Sequence, residues 1–122
     1  MRHIRLAVVG LTLLSAACAA GSGSGDSGPR RNANLITLEE VTALGDVGTA
    51  YDAIRRLRPN WLTGRGGSEP RIFVNGVDRG GLDILRNYRA TAIREVRFTS
   101  PSDATIRYGT NSGGGVIDLI TR

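Results

Sequence analysis

The chain has no lysine, one cysteine and one histidine among its 122 residues, and these scarcities exclude several kinds of site. All 16 cationic side chains are arginine, so the phosphate-binding lysine of a P-loop is missing. A lone cysteine, Cys18, cannot close an intrachain disulfide or supply a thiolate metal cluster. The one histidine, His3, falls in the leader described next, so the mature chain has no Ser–His or Cys–His pair. We therefore expect no enzymatic activity, no bound metal and no cofactor.

The N-terminal segment has the order of a secretory leader. Residues 1–5 are basic, residues 6–14 form a short apolar run, and residues 15–20 are small. The apolar run is too short to cross a bilayer as a helix. This order predicts a signal peptide, and a membrane anchor or a buried helix is the alternative.

Cys18 lies in the small-residue zone, within a Ser-Ala-Ala-Cys segment that resembles a bacterial lipobox. In lipoproteins that cysteine is lipidated and becomes the mature N-terminus, although Ser15 stands here where leucine is usual. Ala19 follows instead of aspartate, which by resemblance to lipoprotein sorting indicates the outer membrane. We predict a signal peptide at 1–17 and a lipid anchor at Cys18, on the periplasmic face of the outer membrane. An ordinary signal peptide on a soluble periplasmic protein is the alternative.

Composition changes sharply after the leader. Residues 18–34 are rich in Gly and Ser and contain few apolar side chains, as is typical of a flexible tether. Residues 35–122 carry the apolar patterning of one small domain with a single core. The chain has a formal net charge of +5. Its arginines at 55–58 and 86–97 could contact a nucleic acid. Because an exported protein encounters little nucleic acid, we expect no nucleic acid as a partner.

The domain sequence alternates helical and extended patterns. A capping box formed by Thr37 and Glu40 starts a short helix that ends at Gly45, and Pro59 ends a second one. Asn75-Gly76 is a strong signal for a two-residue hairpin turn. An α+β fold with a small mixed β-sheet follows. The predicted helical segments are 38–44, 49–58, 82–88 and 101–108, and the predicted strands are 71–74, 94–98 and 116–121.

Two loops rich in glycine and arginine, 64–71 and 107–115, are the expected functional segments, because loops on a rigid scaffold often carry function. Their arginines are candidate contacts for anionic groups of a ligand or partner, with surface solubility as the alternative role: Arg65, Arg71 and Arg107. Asp118 lies inside the last predicted strand, where a carboxylate is unusual. We expect its side chain either to pair with an arginine or to face solvent on an edge strand. Turn positions are expected at Asn75, Gly76, Gly109, Gly114 and Gly115.

Several motifs occur in an order that resembles the plug domain of TonB-dependent outer-membrane receptors. An Arg-Gly-rich segment is followed by a strand that ends in a turn and valine, by an Ile-x-Glu-Val strand, by a Pro-x-x-Ala-x-x-x-Tyr-Gly segment and by a Gly-Gly-Val-Ile-Asp strand. These are residues 64–67, 72–77, 92–98, 100–109 and 114–122. Upstream, residues 36–40 and the helix at 51–59 resemble the opening of the same domain, so the resemblance spans about 35–122.

The resemblance implies a plug-like fold and a role in outer-membrane transport. In the receptors a β-barrel of several hundred residues follows the plug, whereas this sequence ends at Arg122, and its tether has no recognisable TonB box. We therefore expect a stand-alone, non-enzymatic binding or accessory module, with a barrel protein of the TonB-dependent type as its partner. A structural envelope lipoprotein that mediates protein–protein contacts is the alternative.

Overall fold

The computed structural model describes residues 31–64 and 67–122. The predicted signal peptide at 1–17, Cys18, most of the tether and Arg65 lie outside the described residues.

A five-stranded mixed sheet forms the centre of the domain, in the order β1-β4-β5-β2-β3. Strand β2 runs parallel to β5, and every other neighbouring pair is antiparallel. Together with its short helices, this sheet confirms the predicted α+β class. The strands are β1 Leu35–Thr37, β2 Arg71–Val74, β3 Val77–Gly80, β4 Ile93–Thr99 and β5 Val116–Thr121.

Three α-helices start at side-chain caps that the sequence provides. The capping box is confirmed, because the Thr37 hydroxyl accepts from the Glu40 N–H while the Glu40 carboxylate accepts from the Thr37 N–H. Thr49 and Ser100 cap the other two helices, because their hydroxyls accept from the N–H groups of Asp52 and Asp103. The helices are α1 Leu38–Ala43, α2 Ala50–Leu57 and α3 Pro101–Tyr108, and single or double 3-10 turns cover Pro59–Trp61, Leu82–Asn87, Ala90–Ala92 and Thr110–Ser112.

One strand, β1, was not expected, while β3 is the far side of the hairpin that Asn75-Gly76 predicts. Strand β1 has only three residues, too few for a periodic pattern, and it exists because it pairs with β4. Strand β3 completes the hairpin from β2, with the turn at Asn75-Gly76. Asp118 does not lie on an edge strand, because β5 is the middle strand of the sheet. Its carboxylate accepts a hydrogen bond from the Gly76 N–H at 3.2 Å.

The core lies on one face of the sheet, under α1, α2 and the 3-10 turns. Alternating strand residues point to this face and are fully buried, among them Ile36, Ile72, Val96, Ile117 and Leu119. Helix α3 covers part of the opposite face through Ala104, which packs with Phe73 and Val116. The rest of that face carries ion pairs, Arg71 with Asp78 and Arg97 with Glu95.

Candidate functional site

Five segments meet at one end of the sheet, where β1, β2 and β5 begin and β4 ends. The Arg71 N–H donates to the Gly115 carbonyl at 3.0 Å, and the Phe98 N–H donates to the Asn34 carbonyl at 2.9 Å. We call this region the loop end and define it as residues 33–34, 60–64, 67–71, 98–101 and 113–115. It brings together the described parts of the two glycine-rich loops that the sequence singled out.

Close backbone packing explains two of the glycines at the loop end. A Cβ on Gly64 would overlap the Ser68 carbonyl, and a Cβ on Gly114 would overlap the Ser68 and Glu69 carbonyls. Gly114 is therefore required for a close approach of two backbones and not for a positive φ. The segment at Ser68 and Glu69 runs between these two glycines, which fixes one loop against the other.

Left-handed backbone explains two further glycines. Gly109, just after α3, has φ +91°, and Gly115, just before β5, has φ +93°. Gly115 is also tightly enclosed, because a Cβ there would lie 2.9 Å from the Thr99 carbonyl and 3.1 Å from the Phe98 ring. These glycines turn the chain back from α3 into the central strand.

A cleft of about 540 Å³ opens at the loop end, within the size range of ligand sites in proteins. None of the lining residues that belong to the described part of the chain is charged. The lining residues are Ala33, Asn34, Asn60, Trp61, Thr63, Gly64, Phe98, Ser100, Pro101 and Gly114.

A stacked aromatic pair lies beside this cleft, with the half-buried Phe98 at its lining and Trp61 almost wholly buried. The ring centroids of Trp61 and Phe98 lie 5.2 Å apart, and the ring planes are 13° from parallel. Trp61 is only 2% exposed, as expected for a side chain packed under the loop that follows α2. The Phe98 ring is packed against both Trp61 and Gly115, which restricts its position.

The predicted arginine contacts do not converge on the cleft. Arg71 donates to Asp78 from Nε at 3.1 Å and from Nη2 at 2.6 Å, across the β2–β3 hairpin. The Arg71 guanidinium lowers the pKa of the Asp78 carboxyl below its ordinary value of 3.8. Arg107 is exposed on the last turn of α3 and is absent from the lining. Arg65 lies outside the described residues.

The predicted hairpin turn lies at the other end of the sheet. Asn75 has φ +50° and Gly76 has φ +79°, so both central residues are left-handed. The Asn75 side chain donates to the Thr121 hydroxyl at 3.0 Å and accepts from the Thr121 N–H at 3.1 Å. These two hydrogen bonds hold the turn against the end of β5. The role of the Asn75-Gly76 turn is therefore structural.

The sequence analysis missed the polar lining residues of the cleft, Asn34, Asn60 and Thr63. They belong to three short segments with no periodicity, and only the folded chain brings them beside Phe98. The presence of Asn just before β1 and just after Pro59 was the available signal, but asparagine is common in turns of any function.

A second, smaller hollow of about 260 Å³ lies beside α2. Arg86 sits over the Tyr51 ring, with its guanidinium carbon 4.4 Å from the ring centroid. Arg55 pairs with Asp52 at 3.5 Å in the same hollow. Both guanidinium groups are thus already engaged, and a carboxylate lines the hollow with them.

Within residues 31–64 and 67–122, no group of three or more potential metal ligands is found. No helix in the same part of the chain is long and apolar enough to cross a membrane. The chain matches no family model, and it matches none of the curated proteins or solved structures compared with it.

Proposed function

We propose that this chain is a non-enzymatic, lipid-tethered binding module with a plug-like domain. It acts as an accessory to outer-membrane transport, from the periplasmic face of that membrane. The observation that carries the proposal is the loop end, where two glycine-rich loops are packed together beside a cleft of about 540 Å³. Loops presented by a rigid sheet are a common place for binding sites in proteins.

The tether and anchor are supported by the sequence alone. The leader order, the position of Cys18 and the Gly/Ser-rich stretch after it fit a lipoprotein that holds a small domain near a membrane. The order of the plug-like motifs over residues 35–122 supports transport as the process and a TonB-dependent-type barrel protein as the partner.

The alternative, a structural lipoprotein that adds its sheet to a partner, is less well supported because both sheet edges are guarded. Arg58 donates to the Leu35 carbonyl at 3.3 Å on the β1 edge. On the β3 edge, a register shift leaves Arg79 as an extra residue, and the charged Asp78 precedes it. Bulges and charges are common protections against edge-to-edge pairing. Exposed Ile106 on α3, at 83% exposure, is the feature that favours a protein contact.

Purification of the tagged protein from detergent-solubilised envelopes, with mass spectrometry of its companions, tests the proposal. We expect a barrel protein in stoichiometric amount, and recovery of the lipidated protein alone would overturn the accessory role. Asn60→Asp should weaken the association if the loop end makes the contact. Ile106→Asp should weaken it instead if the structural alternative holds, and Asn87→Asp is the matched control outside both surfaces.

Membrane fractionation of Cys18→Ser tests the anchor separately. We expect the wild-type protein in the outer-membrane fraction and the variant in another fraction, because the acylated residue is lost. Equal distribution of the two proteins would show that Cys18 carries no lipid. That outcome would favour the soluble periplasmic alternative without bearing on what the loop end binds.

A further inference from the structure

We infer that Asn75-Gly76 is a deamidation site that is protected in the folded chain by Asp118 and Thr121. This reactivity is independent of what the loop end binds, because the turn lies at the other end of the sheet. It also gives a role to Asp118, the carboxylate on the middle strand of the sheet.

Asn-Gly is the dipeptide in which deamidation is chemically easiest, and the sequence contains one such pair. The backbone nitrogen of the glycine attacks Cγ of the asparagine, and the Cγ–Nδ2 bond breaks. The proton of the glycine N–H passes through solvent to the amide nitrogen, which leaves as ammonia. Water then opens the succinimide ring at either carbonyl and leaves aspartate or isoaspartate. Glycine favours the attack because it has no Cβ to hinder its nitrogen.

Burial does not protect this pair. Asn75 and Gly76 are both exposed in the turn between β2 and β3, so water reaches them. The space beside Gly76 is open as well, because a Cβ there would meet nothing within 4 Å. The restraint on the reaction is therefore the set of hydrogen bonds that joins the turn to β5.

Two of these hydrogen bonds hold the group that is attacked. Asn75 Nδ2 donates to the Thr121 hydroxyl at 3.0 Å, and Asn75 Oδ1 accepts from the Thr121 N–H at 3.1 Å. The Asn75 N–H donates to the Leu119 carbonyl at 2.9 Å, which ties its backbone to the same strand. Ring closure makes Cγ tetrahedral and turns both side-chain atoms away from Thr121. Both bonds therefore oppose it.

A third hydrogen bond holds the attacking group. The Gly76 N–H donates to Asp118 Oδ1 at 3.2 Å. The nitrogen becomes a nucleophile only when it loses this proton, and a hydrogen bond to a carboxylate favours the protonated form. The negative charge of the carboxylate also opposes negative charge on the nitrogen beside it. Asp118 thus lowers the reactivity of the Gly76 nitrogen.

The full chain, incubated at mildly alkaline pH either folded in buffer or unfolded in guanidinium chloride, tests the inference. Peptide mapping by mass spectrometry follows aspartate and isoaspartate at position 75. We expect conversion in the folded chain to be at least about tenfold slower than in the unfolded chain, because the three bonds must break first. Gly76→Ala should be slow in both states, since its Cβ hinders the nitrogen. Equal rates for the folded and unfolded wild type overturn the inference, and so does an unreactive Asn75 in the unfolded chain.

Substitutions on β5 test which residues protect the site. Thr121→Val removes the hydroxyl that accepts from Asn75 but keeps a β-branched side chain in the strand, and Asp118→Ala removes the acceptor of the Gly76 N–H. Each should raise the rate in the folded chain about fivefold. A slower reaction in Asp118→Ala would mean that the carboxylate acts as a base, and unchanged rates in both variants would mean that neither residue protects. Either result overturns the inference.

A core substitution separates local protection from overall stability. Val41 is buried in helix α1, away from the turn, so Val41→Ala lowers the free energy of unfolding without touching the bonds to Thr121 and Asp118. We expect it to accelerate deamidation less than the two β5 variants do. An equal acceleration would show that global unfolding sets the rate, and it would overturn the assignment to the hydrogen bonds of the turn.

Discussion

Arg58 and Glu40 form an ion pair at the β1 edge of the sheet, with Nη2 3.1 Å from Oε1. Their side chains are only 12% and 15% exposed. Arg58 also donates to the Asn32, Leu35 and Leu57 carbonyls, and the Glu40 carboxylate at the same time accepts from the Thr37 N–H. One guanidinium thus joins the chain before β1, the β1 edge, helix α1 and the end of helix α2.

Replacement of Arg58 by alanine should destabilise the domain strongly. The change leaves a largely buried carboxylate and several carbonyls without a donor, and loss of one partner of such a pair typically costs about 3 kcal/mol. Chemical denaturation measures the free energy of unfolding. The control is Arg55→Ala, because the Arg55–Asp52 pair is exposed and should contribute less than about 1 kcal/mol. Equal losses in the two variants would contradict a special role for Arg58.

Glycine is required at the loop end for two different reasons, close backbone packing and a positive φ, which the sequence alone does not distinguish. Gly113 and Gly114 are neighbours in one Gly-Gly-Gly run, yet a Cβ on Gly113 finds its nearest atom at 3.8 Å, whereas one on Gly114 overlaps two carbonyls. Gly113 has φ −62°, an ordinary helical value. Gly114 therefore has a steric reason to be glycine, Gly115 has both a conformational and a steric reason, and Gly113 has neither.

Gly114→Ala should lower the free energy of unfolding by about 3 kcal/mol or more, because backbone atoms of the Ser68–Glu69 segment must move. Gly113→Ala should be neutral or stabilising by a few tenths to about 1 kcal/mol, since alanine restricts the unfolded chain. Thermal and chemical denaturation of the two variants provide the comparison. A tolerated alanine at position 114 would mean that the two loops are not packed as described.

Local patterns predicted most of the elements, because caps, proline stops and the Asn-Gly turn act within a few residues. The bounds of β2, α3 and β5 agree with the predicted segments at 71–74, 101–108 and 116–121. Strand β1 could not be predicted in the same way, since its three residues are extended only because β4 offers them a partner. The plug-like resemblance remains a prediction.

The candidate site was harder to predict than the fold for a related reason. The glycine-rich loops were identified from composition, but the chemistry of the cleft depends on which side chains long-range contacts bring together. Arg71 is an example. It was predicted to contact a ligand or partner, but in the folded chain its guanidinium donates to Asp78 on the neighbouring strand. Asn34 and Asn60, by contrast, have no distinctive pattern and become neighbours of one cleft only in the folded chain.

The Arg71–Asp78 pair predicts a defined pH dependence of stability. Because the pKa of Asp78 is lowered in the folded state, its contribution is fully present above the ordinary value of 3.8 and is lost as the pH falls through the lower folded value. We expect Asp78→Asn to be slightly less stable than the wild type at neutral pH, with the difference vanishing as the pH falls through the lowered pKa of Asp78. Urea denaturation across this range measures it. A difference that grows on acidification would contradict the assigned sign.

The Asn75-Gly76 turn offers a test of conformational strain without a packing change. A Cβ on Gly76 meets nothing within 4 Å, but φ is +79°, so Gly76→Ala should cost about 1–2 kcal/mol through backbone strain alone. Gly76→Asn should recover part of that loss, because asparagine tolerates the left-handed region. Chemical denaturation of both variants checks the order, and an equal loss in the two would mean that strain is not the cause.

Asn75→Gly keeps the turn conformation but removes both hydrogen bonds to Thr121. Any loss in the free energy of unfolding therefore measures what these two bonds contribute to stability.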